Sequence, residues 1–221
     1  MRDSDRAFFI ESLKESKKAL KANSIPAIIL WLFGGAILIA YYTLPQFRWV
    51  FDKIENIRTN YGYVFLFVST SFFGAILPSL FRIFFLKDPL PFSRIFALAI
   101  FWGLKGIEVD TFYIFQNWVF DDNMFFKICF DQFIYVPLWG LTSVVLFYHW
   151  LDCKLNLKTF KDSLGEHWYR DHVFAVMIPN WGVWVPAVML IYLLPLPLQL
   201  PLMNLTLAFW VMILAYLTHQ K

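Results

Sequence analysis

The chain has 221 residues, of which 59% are hydrophobic and only 16% are charged, and its formal net charge is +3. A soluble domain of this length needs more polar surface than these residues supply, so the composition excludes an ordinary soluble globular domain. It also excludes a basic, aromatic-interleaved nucleic-acid interface. We predict an all-α protein, a polytopic transmembrane helical bundle.

Six apolar segments have the length of a membrane span, for which ~20 residues are needed. The predicted spans are about residues 25–44, 61–86, 98–118, 128–151, 172–194 and 201–218. With the N-terminus inside, this layout places most Lys and Arg residues on the inner side, so both termini are predicted there. No internal repeat points to an inverted-repeat transporter.

The chain divides into three predicted regions. Residues 1–24 form an amphipathic N-terminal arm on the membrane surface, with a solvated arm as an equal alternative. Residues 25–60 hold an extra N-terminal span and a following loop or interfacial helix from 46 to 60. Residues 61–221 form the main membrane helical domain.

Prolines mark the predicted turns and bends. Pro78 is expected to kink the second span, and Pro179 and Pro186 to interrupt the fifth. The Pro-rich stretch that follows the fifth span is expected to reverse the chain before the sixth.

The third predicted span carries three charges near its middle, Lys105, Glu108 and Asp110. A charge at the centre of a spanning helix costs about 2.5–3.5 kcal/mol, whereas each large apolar residue returns only about 0.3–0.6 kcal/mol. Lys105 and Glu108 are three residues apart and can pair on the helix surface. Asp110 then needs a partner from elsewhere, for which Arg82 and the backbone or side-chain donors of other spans are candidates.

Helical spacing places Gly106, Asp110, Tyr113 and Asn117 on one stripe, beside a second stripe that includes Lys105 and Gln116. Intramembrane ionisable residues usually face the bundle interior or water. We predict that these side chains line or gate a path for small polar solutes. The predicted lining residues are Lys105, Glu108, Asp110, Tyr113, Gln116, Asn117, Asp131 and Gln132.

An ion-pair network that only fixes helix packing remains the alternative, and the protein would then be a membrane scaffold or homeostasis protein. Asp131 has a further alternative, because an Asp in the first turn of the fourth span would favour the helix dipole.

Four ordered motifs resemble a known family. Residues 106–113 have the spacing of GPxxHxWY, Asp131–Gln132 with Pro137 reads DQxxxxP, residues 180–186 resemble NWxVWP, and Asn204 with Trp210 gives NxxxxxW. This series over residues 60–218 resembles the Mpv-seventeen and twenty-two-kilodalton peroxisomal membrane protein family. The resemblance implies a pore-forming or metabolite-permeability protein, or a related membrane homeostasis protein.

The chain departs from the family pattern at several motif positions. Ile107 replaces the motif proline, Asp110 the histidine and Phe112 the tryptophan, and Val185 intrudes before Pro186. The chain therefore resembles a distant, bacterial-type member. Packing roles are predicted for the motif residues Gly106, Pro137, Trp181, Trp184, Pro186 and Trp210.

No nucleotide-binding, hydrolase or kinase fingerprint is present, so we predict a protein that is not an enzyme and needs no cofactor or metal. His167 and His172 are five apart, which would not put them on one helix face; they read as an interfacial loop. A metal-dependent membrane enzyme using this loop is kept as a third hypothesis.

The expected partners are the lipid bilayer and small polar solutes, with a homo-oligomer left open. The expected location is the inner or plasma membrane of a bacterium, or a mitochondrial inner or peroxisomal membrane.

Overall fold

A computed structural model describes residues 27–219, and within that range the protein is built from helices and turns, with no strand. The all-α prediction is thus confirmed, while the predicted arm of residues 1–24 lies outside the described residues. The α-helices are α1 Ala27–Thr43, α2 Arg48–Ser71, α3 Leu77–Phe81, α4 Phe92–Phe120, α5 Met124–Phe130, α6 Leu141–Asp152, α7 Leu157–Ser163, α8 Ala175–Tyr192 and α9 Leu196–His219.

Four π-helical segments join or extend these helices. Phe72–Ile76 and Arg82–Leu86 make one helical run of α2 and α3, and Asp131–Gly140 joins α5 to α6. Tyr169–Phe174 leads into α8. A π turn adds a residue to the helix and shifts the register of the faces on either side of it. The fourth predicted span is therefore a single helical run, and so is the second from residue 63 onward.

Residues 46–60, predicted as a loop or an interfacial helix, are mostly helical, because α2 begins at Arg48. The helix breaks at Gly62, whose φ of 48° and ψ of −126° are open to glycine and costly for residues with a Cβ. The sequence predicted a boundary between a polar segment and an apolar span at residues 60–61. In the structure this boundary lies beside the kink at Gly62 and not at the end of a helix.

The fifth predicted span is not interrupted by proline. α8 runs through Pro179 and Pro186, and the chain turns at residues 193–195, before α9. The Pro-rich stretch was predicted to reverse the chain; the turn lies at its start, while Pro197 and Pro201 lie within α9. A proline removes one hydrogen bond and bends a helix without having to end it, which is why the predicted interruption of the fifth span was wrong.

The described residues divide into two compact units, here called the α4 unit (residues 27–124 and 186–219) and the α6 unit (residues 125–185). Within the α4 unit, α4 packs against α2 and α9, and these two also pack on each other. Its core includes Leu66, Tyr113 and Leu200. Within the α6 unit, α6 packs against α7 and the π-helical segments on either side of it.

Length and composition single out two helical runs that could cross a membrane, Pro45–Leu86 and Met124–Asp152. Ala27–Thr43, Val176–Tyr192 and Leu196–Met212 are apolar but shorter. α4 belongs to neither group, since its charged residues leave it no stretch of 18 residues with two charges or fewer. The predicted count of six spans therefore stays a prediction.

Candidate functional site

The first part of the charged site is a pair within α4. Lys105 Nζ donates to Glu108 Oε1 at 2.6 Å, and the two residues are three positions apart on one helix. The side chain of Lys105 is 7% exposed, whereas that of Glu108 is 29% exposed. The predicted pairing is confirmed, and Glu108 is its more accessible end.

Asp110 is paired with a residue of another helix, Arg58 of α2. Arg58 Nη2 lies 2.8 Å from Oδ1 and 2.9 Å from Oδ2, and Arg58 Nε lies 3.3 Å from Oδ1. Asp110 as a whole residue is 3% exposed. A guanidinium that contacts both oxygens of one carboxylate is a strong, directional pairing. This ion pair therefore fixes the register of α2 against α4.

Arg82, the candidate partner from the sequence, does not bind Asp110. Its guanidinium pairs with Asp88 and also donates to the Asp88 carbonyl oxygen. Arg82 lies in the π-helical segment that ends at Leu86, so a carboxylate just beyond that end is within its reach. The candidate was wrong because local geometry supplies a nearer partner.

The polar face of α4 is rotated relative to the predicted stripe. Lys105, Gly106, Asp110, Tyr113 and Gln116 are buried, whereas Asn117 is exposed. Helical spacing fixes the angles between these residues around the helix axis. It does not fix which side of the helix packs against a neighbouring helix.

Gln116 is fully buried and accepts a hydrogen bond from the hydroxyl group of Tyr192. The ring of Tyr192 also meets the ring of Tyr113 edge to face, with centroids 5.5 Å apart. The hydroxyl of Tyr192 thus satisfies a polar side chain that would otherwise carry a desolvation cost. The polar face continues from the ion pairs along α4 to this tyrosine.

The α2–α4 contact is made through small residues. A Cβ on Gly106 would lie 2.3 Å from Thr70 Oγ1 and 2.7 Å from the Leu66 carbonyl oxygen. One turn earlier, a Cβ on Gly103 would meet Phe67 and Ser71 at 2.5–2.6 Å. Small residues that let two backbones approach closely, with hydroxyl groups between them, are typical of helix pairs in membranes.

Two buried polar atoms near this contact, Thr70 Oγ1 and Asn204 Oδ1, have no hydrogen-bond partner among the residues that the structure describes. Asn204 is fully buried in α9, and its Nδ2 donates to Ser69 Oγ at 3.3 Å. The asparagine of the fourth motif thus ties α9 to α2 within the α4 unit.

The α6 unit holds the other two predicted lining residues. Asp131 and Gln132 are 4% and 1% exposed, and Gln132 Nε2 lies 3.4 Å from Asp131 Oδ1. Asp131 does not lie in the first turn of a helix, because α5 begins at Met124 and the helical run continues through residue 131. The helix-dipole alternative for Asp131 is therefore wrong.

The second and third motifs meet inside the α6 unit. Trp181 Nε1 donates to the Gln132 carbonyl oxygen at 2.8 Å, and the rings of Trp181 and Phe133 are 5.3 Å apart. The Pro137 carbonyl oxygen accepts from the Tyr169 hydroxyl at 2.9 Å and from Thr142 Oγ1 at 2.5 Å. Pro137 has no N–H, so the carbonyl five residues earlier in this π-helical segment, that of Gln132, loses its helical donor and accepts from Trp181 instead.

Replacing Trp181 by phenylalanine is expected to destabilise the protein by about 1 kcal/mol, because the ring contact with Phe133 is kept while the hydrogen bond to Gln132 is lost. Unfolding of the purified protein in detergent measures this. Trp184→Phe is the matched control, with half the effect or less expected. Equal losses in both variants would show that tryptophan volume, and not the hydrogen bond, matters.

The remaining residues with predicted packing roles are partly buried, namely Trp184, Pro186 and Trp210. Pro186 also lines a cleft of about 330 Å³ in the α4 unit, with Trp31, Leu190 and other apolar side chains. None of the described residues that line this cleft is charged.

Among the side chains that the structure describes, no group of three or more from His, Cys, Asp and Glu is arranged to hold a metal ion. His172 packs beside His149 of α6, with ring centroids 5.1 Å apart. The described geometry thus leaves a catalytic metal centre built on the 167–172 loop without three protein ligands.

Sequence reasoning missed two polar residues of the site, Arg58 and Tyr192. Arg58 falls in a segment that reads as a polar loop, and Tyr192 near the end of an apolar run. A usable signal existed for Arg58, since an unpaired acid in an apolar helix requires a cation, and Arg58 lies just ahead of the preceding span.

Comparison with known proteins adds no relative: no protein family, no curated protein and no solved structure matches the chain. Function must therefore be argued from the charged face of α4 and its partners.

Proposed function

We propose that the chain is an integral membrane protein whose charged α4 face is a path for small polar solutes, held shut by the Arg58–Asp110 ion pair. The observation that carries the proposal is this bidentate pair, in which α2 covers an acid that is 3% exposed. A buried charge must be paired or reach water, and separation of the pair would expose the acid.

The outer surface supports a membrane location. Trp118 and Phe92 are each 80% exposed and Phe85 is 75% exposed, and many other large apolar side chains also face outward. Only 39% and 22% of the most apolar windows of Pro45–Leu86 and Met124–Asp152 are buried within the protein. Core helices of a soluble protein would be mostly buried, whereas contiguous exposed apolar surface of this kind suits lipid.

The internal pairing supports placing α4 in the membrane as well. Lys105 is paired with Glu108 of the same helix, and Asp110 is paired with Arg58 of α2. Each pair is formally neutral, which removes much of the cost that three separate charges would impose on insertion. The two long apolar runs, α4 and the shorter apolar helices would together form the predicted polytopic bundle.

The joint at Gly62 supports an opening motion. Arg58 lies in the part of α2 that precedes the break, and Thr70 and the close packing on α4 lie in the part that follows it. Movement of the first part about Gly62 would withdraw Arg58 and leave the second part packed. Hinges are a few positions that absorb a backbone change while the packed elements stay rigid.

A structural role is the second candidate, and the packing of Gly106 on Thr70 and Leu66 favours it. In that case the ion pairs only hold α2 and α4 together, and the protein acts as a membrane scaffold. The two candidates differ in one property, the flux of solute when the pair is weakened.

Release of small charged and neutral solutes from liposomes containing the full chain separates these candidates. Asp110→Asn is expected to raise release at least about tenfold over the unaltered chain, since the amide cannot form the charged pair. Glu55→Gln, an exposed acid on the same segment as Arg58, is the matched control and is expected to leave release unchanged. Unchanged release by folded Asp110→Asn protein would favour the scaffold.

A further inference from the structure

The α6 unit contains a pair of histidines that the proposed function does not use. His149 lies in α6 and His172 in the π-helical segment Tyr169–Phe174, and their ring centroids are 5.1 Å apart. Two residues 23 positions apart in the chain are brought together by the folding of the polar loop between α6 and α8.

The protonated nitrogen of His172 is fixed by its hydrogen bond. His172 Nδ1 lies 3.1 Å from the Trp168 carbonyl oxygen, which can only accept a hydrogen bond. Nδ1 therefore carries the proton in the neutral ring, and the lone pair lies on Nε2. A histidine that ligates a metal commonly donates its other N–H to a backbone carbonyl in this way.

The protonated nitrogen of His149 follows from the serine beside it. His149 Nε2 lies 2.8 Å from Ser163 Oγ, and Ser163 Oγ donates to the Phe160 carbonyl oxygen at 2.8 Å. A hydroxyl has one proton, so both bonds form together only if His149 Nε2–H donates to Ser163. The lone pair of His149 is then on Nδ1.

The separation of the rings suits a shared metal ion. Zn–N bonds of ~2.0–2.1 Å and tetrahedral angles place the centroids of two imidazole ligands roughly 5 Å apart.

We propose that His149 and His172 bind a divalent transition metal ion, Zn²⁺ above all, through His149 Nδ1 and His172 Nε2. The chain supplies two ligands, one fewer than the three of an open catalytic zinc site, and water molecules fill the other positions. Imidazole nitrogen is a preferred ligand of Zn²⁺, Ni²⁺ and Cu²⁺. The site joins α6 to the segment that leads into α8, so the ion would stabilise the α6 unit.

Titration of the metal-stripped full chain in detergent with Zn²⁺ alone, followed by calorimetry, tests the site. We expect one Zn²⁺ per chain, with affinity lowered at least about tenfold in His149→Ala and in His172→Ala. His167→Ala changes a histidine of the same loop outside the pair, and it is expected to bind Zn²⁺ as the unaltered chain does.

His149→Gln and His172→Gln keep polar side chains of similar size. Circular dichroism of these variants and of the alanine variants checks that each stays helical, and a loss of Zn²⁺ binding is counted only in variants that do. Absence of stoichiometric Zn²⁺ binding by the unaltered chain would overturn the proposal. Unchanged affinity in folded His149 or His172 variants, or an equal loss in His167→Ala, would overturn it as well.

Discussion

Asp110→Ala is expected to destabilise the protein by about 3–5 kcal/mol, the cost of breaking a buried ion pair by removing one partner. The alanine leaves the Arg58 guanidinium, which is 17% exposed as a side chain, without the carboxylate that accepts its hydrogen bonds. Denaturant or SDS unfolding of the purified chain, followed by circular dichroism, measures the change in the free energy of unfolding.

Two controls sharpen this prediction. The exposed pair Arg170–Asp171 has side chains that are 40% and 44% exposed, so Asp171→Ala is expected to leave the free energy of unfolding almost unchanged. The double variant Arg58→Met with Asp110→Leu removes both charges and is expected to recover most of the stability, because well-packed apolar residues can replace a buried pair. Equal effects of Asp110→Ala and Asp171→Ala would contradict the account.

Gly106→Ala is expected to destabilise the protein by about 3 kcal/mol. The added Cβ would lie 2.3 Å from Thr70 Oγ1 and 2.7 Å from the Leu66 carbonyl oxygen, so the α2 backbone must move. Alanine gains about 1 kcal/mol of helix propensity over glycine, which offsets only part of this cost.

Gly35→Ala is the matched control for Gly106→Ala, because a Cβ at residue 35 of α1 meets nothing within 4 Å. The same substitution there is expected to be neutral or to stabilise the protein by up to about 1 kcal/mol. If both variants unfold at the same denaturant concentration as the unaltered chain, α2 and α4 do not pack as closely as described.

Much of the helical layout follows from local sequence. Long apolar runs predict the helix over residues 98–118, which lies within α4, and the three-residue spacing predicts the pairing of Lys105 with Glu108. These features depend on neighbouring residues in one helix, so a single sequence contains the information they need.

The tertiary part of the site could not be predicted in the same way. The pairing of Arg58 with Asp110 depends on the register of α2 against α4, which is set by the close approach at Gly106. The same packing turns Asn117 outward, and the fold of the polar loop places His149 beside His172. Helical periodicity gives the angles of residues around the axis of one helix. These contacts depend on how two segments of the chain are placed relative to each other.

The most direct test of a path closed by the Arg58–Asp110 pair is a charge exchange read by solute release from liposomes. Arg58→Asp and Asp110→Arg are each expected to raise release, because each places like charges together, and the double variant is expected to return release at least halfway to that of the unaltered chain. Release that stays at the level of the unaltered chain in both folded single variants, or a double variant that releases as fast as the single variants, would contradict the account.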